Sequence, residues 1–127
     1  MNLPILLVDD NEVQATTRKA ILERAGRRVT AAPNGRIALD LLHGPRSDSS
    51  FGLIVTDHLM PVMDGPSFVA QVRQAGHTMP IVVLSGLGEA ESAYAGLDVI
   101  FRLKPFPPDA LIRLAQELLC RPISRSA

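Results

Sequence analysis

Five short apolar runs, separated by longer amphipathic stretches, constrain this chain more than any other feature. The runs are Ile5–Val8, Val29–Ala32, Leu53–Val55, Ile81–Leu84 and Val99–Leu103. Several are continuously apolar instead of alternating, which is the pattern of strands covered on both faces, as in a parallel sheet. The stretches between them read as helices. Asn11 caps the first, which runs towards Gly26 with Val13, Thr17, Ala20, Ile21 and Ala25 expected on its inner face. Asn34 caps the second, with Ile37, Ala38, Leu41 and Leu42 facing inward and Gly44-Pro45 as its stop. The third starts near Gly65-Pro66, buries Phe68, Val69 and Val72, and ends at Gly76. A short fourth helix is expected within Glu89–Ala95, and a last one from Pro108 to Cys120 with Leu111, Leu114, Ala115, Leu118 and Leu119 on one side. Five β-α units in a row imply an α/β fold, a doubly wound parallel five-stranded sheet with right-handed crossovers.

Size and charge fit that reading. The 127 residues suit one domain, expected over residues 3–120, with residues 121–127 as a tail. Apolar residues make up 46% and charged ones 20%, enough for a core and too apolar for wholesale disorder. Thirteen basic residues balance thirteen acidic ones, and neither half of the chain is strongly charged, which argues against direct nucleic-acid binding or a membrane-surface role. With one cysteine, Cys120, there is no internal disulfide and no multi-cysteine metal site. No apolar run is long enough to span a bilayer and the start lacks a signal-peptide pattern, so a cytoplasmic location is expected.

Ligands of open parallel sheets gather beyond the carboxyl ends of the strands. Asp9, Asp10 and Glu12 follow the first strand, Asp57 and His58 the third, Ser85-Gly86 the fourth and Lys104-Pro105 the fifth. Asp9, Asp10 and Asp57 on one rim repel one another unless a cation keeps them ionised. A hard divalent ion suits carboxylate oxygens, and Mg²⁺ is the first choice. One screened carboxylate is then a nucleophile towards phosphorus, with Lys104 and Ser85 placed to hold phosphoryl oxygens.

Five segments together carry a resemblance to a known family: Ile5–Asn11, Leu53–Pro61, Met63-Asp64-Gly65, Pro80–Gly86 and Leu103–Phe106. In their order and spacing the chain resembles the receiver domain of bacterial two-component response regulators, from Leu3 to about Leu119. The resemblance implies a flavodoxin-like sheet of strand order 2-1-3-4-5. It implies Asp57 as phospho-acceptor, Asp10 as direct Mg²⁺ ligand, Asp9 as a ligand through water, and the Leu59 carbonyl as a further ligand. Ser85 and Lys104 then hold the phosphoryl group beside the backbone N–H groups of Leu59 and Gly86. Phe101 matches an aromatic switch residue alongside Ser85, and Pro105 matches a cis-proline. The implied partners are a sensor histidine kinase or histidine phosphotransfer protein, and a downstream protein target or fused output domain, with room for a homodimer. The implied chemistry is limited to self-phosphorylation and self-dephosphorylation at Asp57.

The chain departs from that family between Ser85 and Lys104, where it is short by roughly one helical turn. The fourth helix is therefore expected to be reduced and, with Gly86 and Gly88, loose. Apolar Leu59 and Leu87 at the lip are expected to slow self-hydrolysis. The competing reading is a pseudo-receiver, a protein-interaction module that works without phosphate. A flavodoxin-like cofactor binder is disfavoured because Asp9-Asp10-Asn11-Glu12 repels phosphate, and a Mg²⁺-dependent phosphohydrolase because no acid/base lid residue is visible. His58 receives no role, His43 and His77 are expected to be solvated, and Arg18, Lys19, Arg24, Arg27 and Arg28 read as a solvated basic face or a kinase-docking surface.

Overall fold

The apolar runs form the sheet they predict. In a computed structural model, which describes residues 3–43 and 51–119, the strands are β1 (Ile5–Val8), β2 (Val29–Ala32), β3 (Leu53–Asp57), β4 (Ile81–Ser85) and β5 (Ile100–Leu103). All pairings are parallel and the order is β2-β1-β3-β4-β5. The three central strands are buried along their whole length, which is why their sequences do not alternate. Successive side chains feed two cores. Leu6, Val8, Ile54 and Val83 pack with Ala38, Phe68, Val69 and Val72 on one face, and Ile5, Leu7, Val55 and Leu84 pack with Leu22, Leu111, Ala115 and Leu118 on the other.

The helices are α1 (Glu12–Arg24), α2 (Gly35–His43), α3 (Gly65–Gln74) and α4 (Pro108–Leu119), with a 3-10 helix at Gly88–Tyr94. Side-chain caps start three of them: Asn11 accepts from the Gln14 N–H, Asn34 from Ile37 and Asp64 from Ser67. Gly26 and Gly76, at φ +90° and +91°, follow α1 and α3 with a backbone turn that side chains resist. The expected face of α3 is buried, and in α4 Leu111, Ala115 and Leu118 are buried while Leu114 and Leu119 are half-buried. Gly44-Pro45, Cys120 and the tail lie outside the described residues.

Two helices sit differently from expectation. In α1 only Leu22 is buried, and Val13 is 76% exposed. Thr17 and Ala20 are exposed, and Ile21 and Ala25 are half-buried. The cause is the sheet rim: the face that carries Leu22 also carries Arg18, and Arg18 is drawn to buried carboxylates. In α2 the buried face is Gly35, Ala38, Leu39 and Leu42, whereas Ile37 and Leu41 are exposed. There the helix packs so closely on α3 that a Cβ on Gly35 would stand 3.0 Å from the Phe68 Cβ, which fixes which side turns inward. Among the described residues no helix is long and apolar enough to cross a membrane.

Candidate functional site

Strand register assembles the site. Val8 pairs with Thr56, so the next residues, Asp9 and Asp57, emerge side by side at the carboxyl ends of β1 and β3. Asp57 pairs with Leu84 and Ser85 with Leu103, which brings Ser85 and then Lys104 onto the same edge. The Lys104 N–H donates to the Ser85 carbonyl at 2.8 Å, and Lys104-Pro105 is a cis peptide bond, as expected.

Asp9 and Asp57 are 2% and 3% exposed, while Asp10 is exposed. One carboxylate oxygen from each of the three lies within 4.8 Å of the others. Two cations answer this charge. Lys104 Nζ is 3.0 Å from Asp57 Oδ1 and also donates to Gln14 Oε1 at 3.4 Å. Arg18 Nη1 bridges Asp9 Oδ2 at 2.7 Å and Asp57 Oδ1 at 3.1 Å. Asp9 Oδ1 accepts from the Asn11 N–H at 2.9 Å. Burial first, and then the shared hydrogen bond and charge of Asp57, push the Asp9 carboxyl up to about 7 against the pull of Asn11 and Arg18. Hard oxygen donors crowded this closely suit a divalent cation such as Mg²⁺.

The buried Ser85 hydroxyl is engaged locally, accepting from the Leu87 N–H at 3.0 Å and donating to the Leu87 carbonyl at 3.3 Å. Leu59 is 68% exposed and Gly86 is also exposed, both on the lip. Phe101 is half-buried against the α2/α3 core, its ring 6.1 Å from that of buried Tyr94.

Three features escaped the sequence reading. Arg18 belongs to the site, not to a solvated face. Its signal was the spacing Gln14, Arg18, Leu22, one residue per helical turn on the side that turns inward. His58, given no role, lies 2.7 Å through Nδ1 from the Tyr94 hydroxyl, which ties the residue after Asp57 to the partner of Phe101. His43 and His77 stack with Nε2 atoms 3.1 Å apart, so they are paired with each other.

Comparison with known proteins agrees with this geometry. The sequence profile described as the response regulator receiver domain matches residues 5–116. The response regulator MprA of Mycolicibacterium vanbaalenii is 34% identical over 124 residues, 95% of this chain and 52% of that protein, so the chain spans about half the length of this relative. The receiver domain of Francisella response regulator 1452 superposes with a TM-score of 0.83 at 27% identity, covering 99% of this chain and all (100%) of that one. The receiver domain of the sensor histidine kinase PA1611 of Pseudomonas aeruginosa, described with a magnesium ion coordinated in its active site cleft, superposes with a TM-score of 0.80 at 30% identity, covering 95% and 100% of the two chains.

Proposed function

This chain belongs to the response regulator receiver domain family, and we propose that it accepts a phosphoryl group on Asp57, with Mg²⁺, from a histidine kinase or histidine phosphotransfer protein and changes conformation to signal. Receiver domains are signalling domains that work with histidine kinases and output domains, not classical enzymes. The observation that carries the proposal is the buried Asp57 carboxylate 3.0 Å from Lys104 Nζ, inside a three-carboxylate cluster. No reading as a simple helix cap or surface turn requires an ammonium and two further carboxylates at that place.

Asp10, Asp9 and Asp57 would hold the cation, with the Leu59 carbonyl as a further oxygen. Bound Mg²⁺ supplies charge neutralisation of the phosphoryl oxygens. An oxygen of Asp57 attacks phosphorus, an O–P bond forms, and the bond to the donor's imidazole nitrogen breaks, its electron pair leaving with that nitrogen. Lys104 shifts from the carboxylate to a phosphoryl oxygen, the Leu59 and Gly86 N–H groups donate to the remaining phosphoryl oxygens, and the Ser85 hydroxyl exchanges the Leu87 carbonyl for the phosphoryl group. Later attack by water releases phosphate and restores the carboxylate.

Energetics allow a switch. Two charge-assisted hydrogen bonds to the phosphoryl group are worth roughly 3–6 kcal/mol, reduced by the Lys104–Asp57 and Ser85–Leu87 contacts they replace, against about 5.5 kcal/mol for moving a population from 1:99 to 99:1. Ser85 leads away from the site into the 3-10 helix, and Tyr94 at the end of that helix touches both His58 and Phe101. That chain of contacts supports Ser85 and Phe101 as the switch pair. Exposed Val13, with Thr17, Ile21, Phe106 and Pro108, lines an apolar groove beside Arg18 that suits a helical phosphodonor domain.

The test is intact mass after incubation with acetyl phosphate. A single phosphoryl adduct that requires Mg²⁺ and vanishes in Asp57→Asn is expected. No adduct, with no binding of beryllofluoride, would instead favour a pseudo-receiver.

A further inference from the structure

We propose that Arg18 is a tethered competitor of the divalent cation, and so the residue that sets how strongly this site takes up Mg²⁺. The inference rests on the reading of the site as a Mg²⁺-assisted phospho-acceptor. Its basis is geometric: one guanidinium nitrogen, Nη1, stands 2.7 Å from Asp9 Oδ2 and 3.1 Å from Asp57 Oδ1. Bridging two carboxylates through one positive centre is what a bound cation does. Arg18 does it from within the fold, on α1 between Gln14 and Leu22, with its side chain 15% exposed and those of Asp9 and Asp57 at 0% and 4%.

Two consequences follow from charge. The carboxylates repel each other in a poorly solvated place, and Arg18 relieves that repulsion without metal. A divalent cation held by Asp9, Asp10 and Asp57 would draw on carboxylates that Arg18 already engages and would stand near its fixed positive charge, so Arg18 opposes its uptake. Lys104 does not duplicate this role, since its ion pair is with Asp57 and its other contact is Gln14. Cation uptake thereby becomes a competition within the protein, and phosphoryl acceptance needs a higher Mg²⁺ concentration than it would in a site without the arginine.

The experiment measures Mg²⁺ binding by calorimetry, and Mn²⁺ binding by its paramagnetic resonance, on the full chain and on Arg18→Gln and Arg18→Leu. Thermal unfolding with and without Mg²⁺ is followed in parallel. Losing one charge-assisted contact that opposes metal should tighten Mg²⁺ binding about tenfold. Both variants should unfold at lower temperature without metal and gain more from Mg²⁺ than the parent. A variant that folds only with Mg²⁺ is the strongest form of the same result. Equal or weaker Mg²⁺ binding by Arg18→Gln, with a normal phosphoryl adduct in the parent, overturns this proposal alone. No Mg²⁺ binding by any of the three, with no adduct, overturns the phospho-acceptor reading as well.

Discussion

The carboxyl edge of the sheet has two halves built on different principles. At β1 and β3 the strands are buried throughout, three carboxylates crowd the ends within 4.8 Å of one another, and one guanidinium and one ammonium pair with two of them. Between β4 and β5 the chain makes a 3-10 helix in which only Tyr94 is buried, and β5 itself is half-exposed to exposed. Polar staples hold that second half. The Tyr94 hydroxyl bonds His58, and the Arg73 guanidinium of α3 donates to the carbonyls of Leu97 and Asp98, as well as those of His77 and Met79. The strands of the first half are buried throughout, whereas the second half rests on partly buried side chains and these polar bonds. Segments of the second kind open at the lowest cost and are where conformational switches are drawn from. The chemical half and the signalling half are therefore separable by mutation.

Lys104→Met attacks the chemical half alone. Losing its charge-assisted contact should slow adduct formation about tenfold to a hundredfold, read from an intact-mass time course. The pH dependence of Mg²⁺ binding probes the same half. A proton on Asp9 competes with metal, so affinity should weaken by about tenfold per unit as pH falls below about 7 and be level above it. The folded protein binds this proton more tightly than the unfolded chain. Without metal, the carboxyl's contribution to stability should therefore decline as pH rises from about 4 to about 7. Arg73→Ala attacks the signalling half: stability should fall by about 2–3 kcal/mol in urea unfolding as carbonyls lose a charged donor, with the rate of adduct formation unchanged. Tyr94→Phe removes one hydrogen bond, about 1 kcal/mol, and should alter the amide spectrum around Phe101 without slowing phosphoryl transfer. If either variant slows the chemistry as much as Lys104→Met, the two halves are one unit. The smallest effect is at the lip, where Leu59→Asn should shorten the lifetime of the phosphoryl group a few-fold by admitting water.

The chemical half was legible in the sequence and the signalling half largely was not. Continuously apolar runs gave the strands to within one or two residues, and parallel register then forces Asp9, Asp57, Ser85 and Lys104 onto one edge. The reduced fourth helix was visible as missing length. The orientation of α1 was misleading because Val13, Thr17, Ala20 and Ile21 are spaced as one face yet Leu22 is the residue that is buried, and a charged residue on a helix reads the same whether it meets water or a carboxylate. Arg18 lies nine residues from Asp9 and 39 from Asp57, His58 lies 36 from Tyr94, and Arg73 reaches carbonyls 24 and 25 residues away. Such contacts exist only after the fold is in place, and nothing in local patterning announces them.

The most direct test of the account is the amide spectrum of the protein with Mg²⁺ and beryllofluoride, compared with the same titration of Asp57→Asn. The account predicts shifts at Asp9, Asp57, Leu59 and Gly86 that continue through Gly88–Tyr94 to Phe101 and Lys104, and no shifts in the variant. Shifts confined to the β1 and β3 ends would contradict the link between the two halves, and an unchanged spectrum would contradict phospho-acceptance at Asp57 itself.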